Sequence, residues 1–428
     1  MDDELLKFKE EIRITDVAEY FSYQRAPHKD GRNSFAYLDS GNNLISFFKH
    51  RTSGHDMFSN VHDRRESGDL IKFIQREKNM SLGEVRVFCR DWLNEPKIRR
   101  GPELFTKPKV SEKDVLNSFD YYSLQDFGYL VDYRKISPEI INSHTFRGTA
   151  VGYTKYNREK KRDYHYTAFL IRNPKGVVGL ELKNMYFKGT EENSLKSVGL
   201  TISNLPNKQS IQTLIITESW EEAMSHMELH PKIADDLRTV YISSNGSPNS
   251  GQHDLINQYI TDYDPEHIIL SNNNDTAGIR FDINYFSSLG NAKESPIKLE
   301  AHLQSKHNVR LNITLSEADA EKMNEVKKIF SQFNAATPVS EYINYQKPFV
   351  IEDISATELS VLTQNKYNRL RECLLIARDL VTPDPRIKFN RPPVRDEDWN
   401  DRLREQKSLS NPQQSLIDER LRPGGKRL

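Results

Sequence analysis

Residues 213–226 read TLIITESWEEAMSH and residues 267–278 read HIILSNNNDTAG, and these two stretches decide the fold. Each opens on a short apolar run rich in β-branched residues, the composition of a strand covered on both faces. The first run ends in Glu218 and turns directly into a helical pattern. The second ends in Asn272, Asn273, Asn274 and Asp275, before Thr276, Ala277 and Gly278 open another helix. Strand and helix in alternation predict a parallel, doubly wound sheet. Two adjacent parallel strands with oxygen-bearing C-terminal ends make a natural site for a divalent cation, so Glu218 and Asp275 are expected to converge.

Glu218 follows four apolar β residues, where a carboxylate is costly unless it sits at a sheet end or beside a cation. The plain alternative makes it a solvated cap of the helix at Trp220, and Glu222, one turn on, either assists or faces solvent. For Asp275 the alternative is a helix N-cap, which needs no metal. Outward from this pair, strands are expected at Thr239–Ser243 and His307–Thr314, and helices over Gln252–Ile260, Glu317–Phe330 and Ala356–Leu380. Upstream, strands are expected at Val151–Tyr156, Tyr166–Arg172, Val177–Asn184 and Val198–Ile202, with helices around Phe127–Tyr133 and from Pro138. In the first 95 residues, helices over Leu5–Phe21 (with Thr15 as a cap), Gly68–Glu77 and Ser81–Leu93 flank strands at Ser34–Leu38, Leu44–Lys49 and His55–Ser59. Leu82, Val85, Phe88 and Trp92 share the core face of the last helix.

The 428 residues suffice for two or three cores, and 61 basic residues balance 61 acidic ones, so any nucleic-acid surface must be local. The longest apolar runs are too short to span a bilayer and no export signal opens the chain, so a cytoplasmic protein is expected. Cys89 and Cys373 lie far apart, which excludes a disulfide framework and a cysteine-based zinc site.

The strand pair resembles the TOPRIM domain of primases, topoisomerases and related nucleases, in which a strand-end Glu and a later Asp-x-Asp hold Mg²⁺. Asn273 stands where the first Asp of that pair would be, so the resemblance implies a weakened metal site, with one negative charge fewer. The phrase PPVRDEDWNDRLREQ (residues 392–406) resembles the closing segment of mobile-element TOPRIM proteins, which implies that Asp398, flanked by Asp396 and Glu397, returns to the metal. GDLIKFIQREKNMSLGEVRVF (residues 68–88) resembles the helical part of the primase zinc-ribbon domain. His28, His50, His55 and His62 are the only soft ligands near it, so a metal-free remnant is expected and no zinc.

The fold class that follows is an α+β ribbon-like domain, an α+β segment and an α/β TOPRIM-like parallel sheet. Expected boundaries are 1–95 for the ribbon-like domain, 96–112 for a basic linker and 113–210 for a primase-core-like subdomain. The TOPRIM-like domain would cover 211–408 with an insertion at about 315–385, ahead of a disordered tail at 409–428. Residues 153–166, YTKYNREKKRDYHY, interleave Lys155, Arg158, Lys160, Lys161 and Arg162 with four tyrosines, a pattern suited to single strands. Lys183 joins these as an expected nucleic-acid contact, and the linker residues Lys97, Arg99 and Arg100 form a second basic patch. The resemblance implies a primase-like nucleotidyltransferase that binds single-stranded DNA and starts short primers with Mg²⁺ or Mn²⁺ on a mobile element. Nucleotides would be its substrates, and a helicase its partner, because the chain has no Walker A loop. The alternatives are a catalytically inactive DNA-binding mobilisation factor and a TOPRIM nuclease.

Overall fold

A computed structural model describes residues 3–31, 34–39, 41, 43–50, 53–61, 66–78, 80–94, 111–157, 160–206, 211–234, 237–336, 347–395 and 397–410. The chain divides into two compact units, Met1–Lys109 and Val110–Leu428. Most of the basic linker, with Lys97, Arg99 and Arg100, and nearly all of the C-terminal tail lie outside the described residues.

In the first unit, helices α1 (Asp3–Glu11) and α2 (Ile14–Tyr20) precede strands β1 (Gln24–Arg25), β2 (Ser34–Leu38), β3 (Leu44–Lys49), β4 (Asp56–Asn60) and β5 (Ser67–Asp69). Helices α3 (Leu70–Lys78) and α4 (Leu82–Asn94) follow. The strands pair antiparallel in chain order, as short connections require. An aromatic core of Tyr37, Phe47, Phe58 and Phe73 fills the space under the helices, with Phe47 and Phe73 edge to face at 5.2 Å.

Three local expectations change here. The first amide of α2 is satisfied by Asp56, at 3.1 Å from the Ile14 N–H and 42 residues away, and not by Thr15. The helix expected from Gly68 begins at Leu70, because Ser67–Asp69 pairs with β4. Leu82 is exposed, while Val85 and Cys89 carry the buried face of α4. His28 and His50 lie exposed on turns, His55 is half-buried, and His62 is outside the described residues.

The second unit begins with α5 (Glu112–Val115), β6 (Tyr122–Ser123) and α6 (Pro138–Ile141). Strands β7 (Ala150–Asn157), β8 (Arg162–Asn173), β9 (Gly176–Asn184), β10 (Phe187–Thr190) and β11 (Leu200–Ile202) come next. Then β12 (Thr213–Thr217), α7 (Trp220–Leu229), α8 (Pro231–Ala234), β13 (Thr239–Ser243), α9 (Ser250–Tyr263), β14 (His267–Leu270) and α10 (Thr276–Phe286) alternate. A four-stranded antiparallel layer follows: β15 (Ile297–Leu303), β16 (Asn308–Leu315), α11 (Ala320–Ala336), β17 (Phe349–Asp353) and β18 (Glu358–Gln364), in strand order β15-β16-β18-β17. The chain closes with α12 (Tyr367–Leu380), β19 (Ile387–Phe389) and α13 (Trp399–Ser410).

The main sheet is mixed, in the order β10-β9-β8-β11-β13-β12-β14-β19, with β7 on β8 and β6 on β7. Strands β13, β12, β14 and β19 are mutually parallel, and β12 lies directly beside β14. Leu214, Ile215 and Ile216 are all fully buried, because helices cover both faces of this half.

The helix expected over Ala356–Leu380 is half strand. Glu358–Gln364 pairs with both β16 and β17, which its alternating, β-branched sequence suits better. The helices expected around Phe127–Tyr133 reduce to one π-helical turn at Tyr129–Tyr133. Strands β1, β6, β10, β15, β17 and β19 had no counterpart among the expectations.

Candidate metal and phosphoryl-transfer site

Local capping chemistry fixes the first carboxylates. Ser219 caps α7 and accepts the Glu222 N–H at 3.4 Å, while Glu222 Oε2 accepts the Ser219 N–H at 3.2 Å. This capping box leaves Glu222 Oε1 pointing across the strand ends. The Glu218 carbonyl accepts from the Gly246 N–H at 2.8 Å and from Ser243 Oγ at 3.0 Å, which pins the residue at the end of β12. Glu218 is therefore not the cap of α7; Ser219 is.

The neighbouring strand end supplies Asn273. Its Nδ2 donates to Glu218 Oε2 at 3.0 Å and to Glu222 Oε1 at 3.3 Å, so one amide bridges the two acids. The loop comes this close to α10 only because residue 278 is glycine; a Cβ there would stand 2.0 Å from the Asn273 carbonyl oxygen. Asp275 caps α10, accepting the Gly278 N–H at 2.7 Å. Asn272 bonds Asp282 at 2.7 Å, and Asn274 donates to the carbonyls of Pro392 and Val394 at 2.9 and 3.2 Å. The three asparagines thus have three separate jobs.

The C-terminal segment folds back over this loop. Trp399 Nε1 donates to the Ser271 carbonyl at 3.2 Å, and Asn400 Nδ2 reaches the Arg134 carbonyl at 2.7 Å and Ser225 Oγ at 2.9 Å. These bonds hold Asp398 where its charge acts on Glu218 and Glu222. Asp396 is outside the described residues.

The electrostatics are those of an unneutralised acidic cluster. Burial pushes the Glu218 carboxyl up to about 7; Asp275 and Asp398 add to the shift, and Lys188 and Arg280 oppose it. Burial and the Glu218 and Asp398 charges raise Glu222 well above the usual carboxylate range. Glu221, the next residue, is the opposite case. Burial works against its charge, yet Lys183 and Arg134 hold it below that range.

No family model matches the chain, and no curated protein does. One similar solved structure is the primase fragment of the bacteriophage T7 primase-helicase protein, with 16% identity over 41% of this chain and 68% of that one. Its TM-score is 0.27, too low for any conclusion about function to rest on it.

Among the described residues no three His, Cys, Asp or Glu side chains are close enough together to share a metal ion. Mg²⁺ does not require that. It is commonly held by one or two carboxylates, with waters and substrate phosphates completing its octahedron. Hard oxygen donors, and two carboxyls that burial and neighbouring acids hold above the usual carboxylate range, fit such an ion. Asn273, expected to offer an oxygen, instead turns its amide hydrogens toward the carboxylates.

The basic residues separate into two groups. Lys160, Lys161 and Arg162 are exposed at the β7–β8 hairpin, whereas Lys155 bonds Glu191 at 2.7 Å; Arg158 is outside the described residues. Lys183, expected to contact nucleic acid, does not face solvent. It is 2% exposed and paired with Glu181 at 2.9 Å and Glu221 at 3.3 Å. Sequence reasoning left Glu222 undecided although Ser219-x-x-Glu222 carries the capping-box signature. Lys188 and Arg280 came with no local signal at all.

A pH effect follows from Glu218. The carboxyl has an ordinary value of 4.5 and is held at about 7 in the folded protein, so only the folded state keeps this proton between those values. The Glu218 contribution to stability is therefore full below the lower value and lost as pH rises through the upper one. Thermal unfolding of metal-free protein from about pH 5 to pH 8 should show a falling midpoint. Glu218→Gln is expected to flatten that fall; an unchanged slope in the variant would assign the effect to other groups.

Proposed function

We propose that the second unit is a TOPRIM-type, primase-like phosphoryl-transfer domain acting on single-stranded DNA with a divalent cation. The observation that carries this reading is the meeting of Glu218, Glu222 and Asn273 across the ends of two adjacent parallel strands. Glu218, with waters and substrate phosphates completing the shell, would hold Mg²⁺, Asp275 and Asp398 adding negative charge nearby, and the ion would supply charge stabilisation at the transferring phosphoryl group. The residues of this chain do the remaining work. Glu222 and Asn273 position Glu218, and Lys188 and Arg280 provide positive charge beside it for phosphate oxygens. The reaction is attack of a nucleotide 3′-hydroxyl on an α-phosphorus, with pyrophosphate leaving. In this reading the first unit is a ribbon-like template-binding domain that has lost its metal.

A second reading, a non-catalytic nucleic-acid-binding factor, is favoured by the Asn273 amide. It puts positive hydrogens where a cation's charge would otherwise lie between two acids. One experiment separates the two. Labelled nucleotides are supplied on a bare single-stranded template with Mg²⁺ or Mn²⁺, and Mn²⁺ binding is followed separately by its electron paramagnetic resonance signal. Labelled products of a few nucleotides support the first reading, and shortening of the template would mark a nuclease. Asn273→Asp restores one ligand charge and is expected to tighten Mn²⁺ binding by roughly tenfold. Absence of any metal-dependent product, with the wild type and the Asn273→Asp variant both failing to bind Mn²⁺, leaves the second reading standing.

A further inference from the structure

The main sheet carries an exposed aromatic turn that the carboxylate site does not use. Asn184 ends β9, Met185 and Tyr186 form the turn, and Phe187 opens β10. Tyr186 is 81% exposed, Met185 45% and Phe187 44%. Single exposed rings are ordinary, but three consecutive large apolar side chains in an ordered turn are not. The turn is built rather than loose. Asn184 Oδ1 accepts the Tyr186 N–H at 2.9 Å, and Asn184 Nδ2 donates to the His165 carbonyl at 3.4 Å.

Phe187 stands 5.3 Å from Tyr166, tilted 65°, and lies over Gly189, where a Cβ would come within 2.7 Å of the ring. Glycine at that position lets the ring lie against the strand. On β8, Tyr166, Tyr164 and Arg162 alternate onto one face, and the Arg162 guanidinium lies 4.6 Å over the Tyr164 ring while donating to its hydroxyl at 2.7 Å. Four residues of strand span about 13 Å. Lys188, next to Phe187, points from the opposite face and acts on Glu218. The aromatic strip therefore begins one residue along β10 from a cation of the carboxylate site, on the other face of that strand.

We propose that Tyr186 and Phe187, continued by Tyr164 and Arg162, form a base-stacking platform that guides single-stranded nucleic acid to the carboxylate site. This rests on the phosphoryl-transfer reading above. Charge selects this ligand over a peptide strand added at the β10 edge. Among the described residues of the β7–β8 turn, the exposed cations Lys160, Lys161 and Arg162 outnumber the one exposed acid, Asp163. Rings stack on any base, and cations neutralise the phosphates between them.

The test is fluorescence anisotropy of a labelled oligo(dT) and of a duplex of equal length, with the full chain, over a range of salt. The single strand is expected to bind more tightly. Tyr186→Ala should weaken it by about tenfold with the salt slope unchanged, since stacking releases no counterions. Tyr186→Trp should restore binding, and the introduced indole should be quenched by the bound bases. Lys160→Glu with Lys161→Glu should instead reduce the salt slope. Wild-type affinity in Tyr186→Ala, or no single-strand binding by the wild type, overturns the platform. Its fate is separable from that of the catalytic reading. A platform that passes in a protein making no metal-dependent product belongs to a binding factor, and a platform that fails leaves metal-dependent synthesis untouched.

Discussion

Replacing Glu218 by alanine is expected to lower metal-dependent nucleotide transfer by about 10²–10³-fold, because a cation ligand carries several kcal/mol of charge stabilisation and each 1.36 kcal/mol is tenfold in rate. Folding should survive. The Glu218 side chain caps no helix; it accepts a hydrogen bond from Asn273, and burial already disfavours its charged form. At pH 8 the variant should unfold at the same temperature as the wild type or slightly above it. That combination marks the residue as a participant in chemistry, not in architecture. Asp275→Ala is a poorer probe, since it also removes the α10 cap, worth about 1 kcal/mol. Rates are measured on a bare template with saturating Mn²⁺. Equal turnover in Glu218→Ala and wild type would remove the strand-end cluster from the mechanism.

Lys183→Met should be the most destabilising single change in the second unit, costing about 3–5 kcal/mol. Lys183 is buried against Glu181 and Glu221, and each of those acids already has one buried oxygen without a hydrogen-bond partner. Glu221 keeps Arg134 at 3.5 Å and the Tyr129 hydroxyl at 2.8 Å, but Glu181 would lose its ion-pair partner. An uncompensated charge in the interior is costly, so the unfolding midpoint should fall by several degrees. Lys183→Met combined with Glu181→Gln should recover part of the loss, because the orphaned acid is then neutral. Circular dichroism melts of the three proteins decide it. A single variant as stable as the wild type would mean that water or another cation reaches the pair.

Much of the site's frame was legible in the sequence. Thr213–Thr217 and His267–Leu270 stand out as strands because their consecutive apolar residues, mostly β-branched, suit a central parallel position. The N-cap role of Asp275 was readable as the alternative to a metal ligand, since an Asp before a helix start acts through its own neighbours. The strand within Glu358–Gln364 was lost to a helical reading, because it is too short for its period to outweigh that of α12 behind it.

The sequence alone determined that Thr213–Thr217 and His267–Leu270 are strands leading into helices, and which oxygen-bearing residues end them. Those properties come from side-chain period and from caps that act within one turn. Tertiary structure decided that Asn273 offers hydrogens instead of an oxygen, that Lys183 is an interior counter-ion, and that bonds from Trp399 and Asn400 are what hold the C-terminal segment over the loop. Amide orientation, charge state and solvent access depend on desolvation and on partners remote in sequence, and no local pattern encodes them.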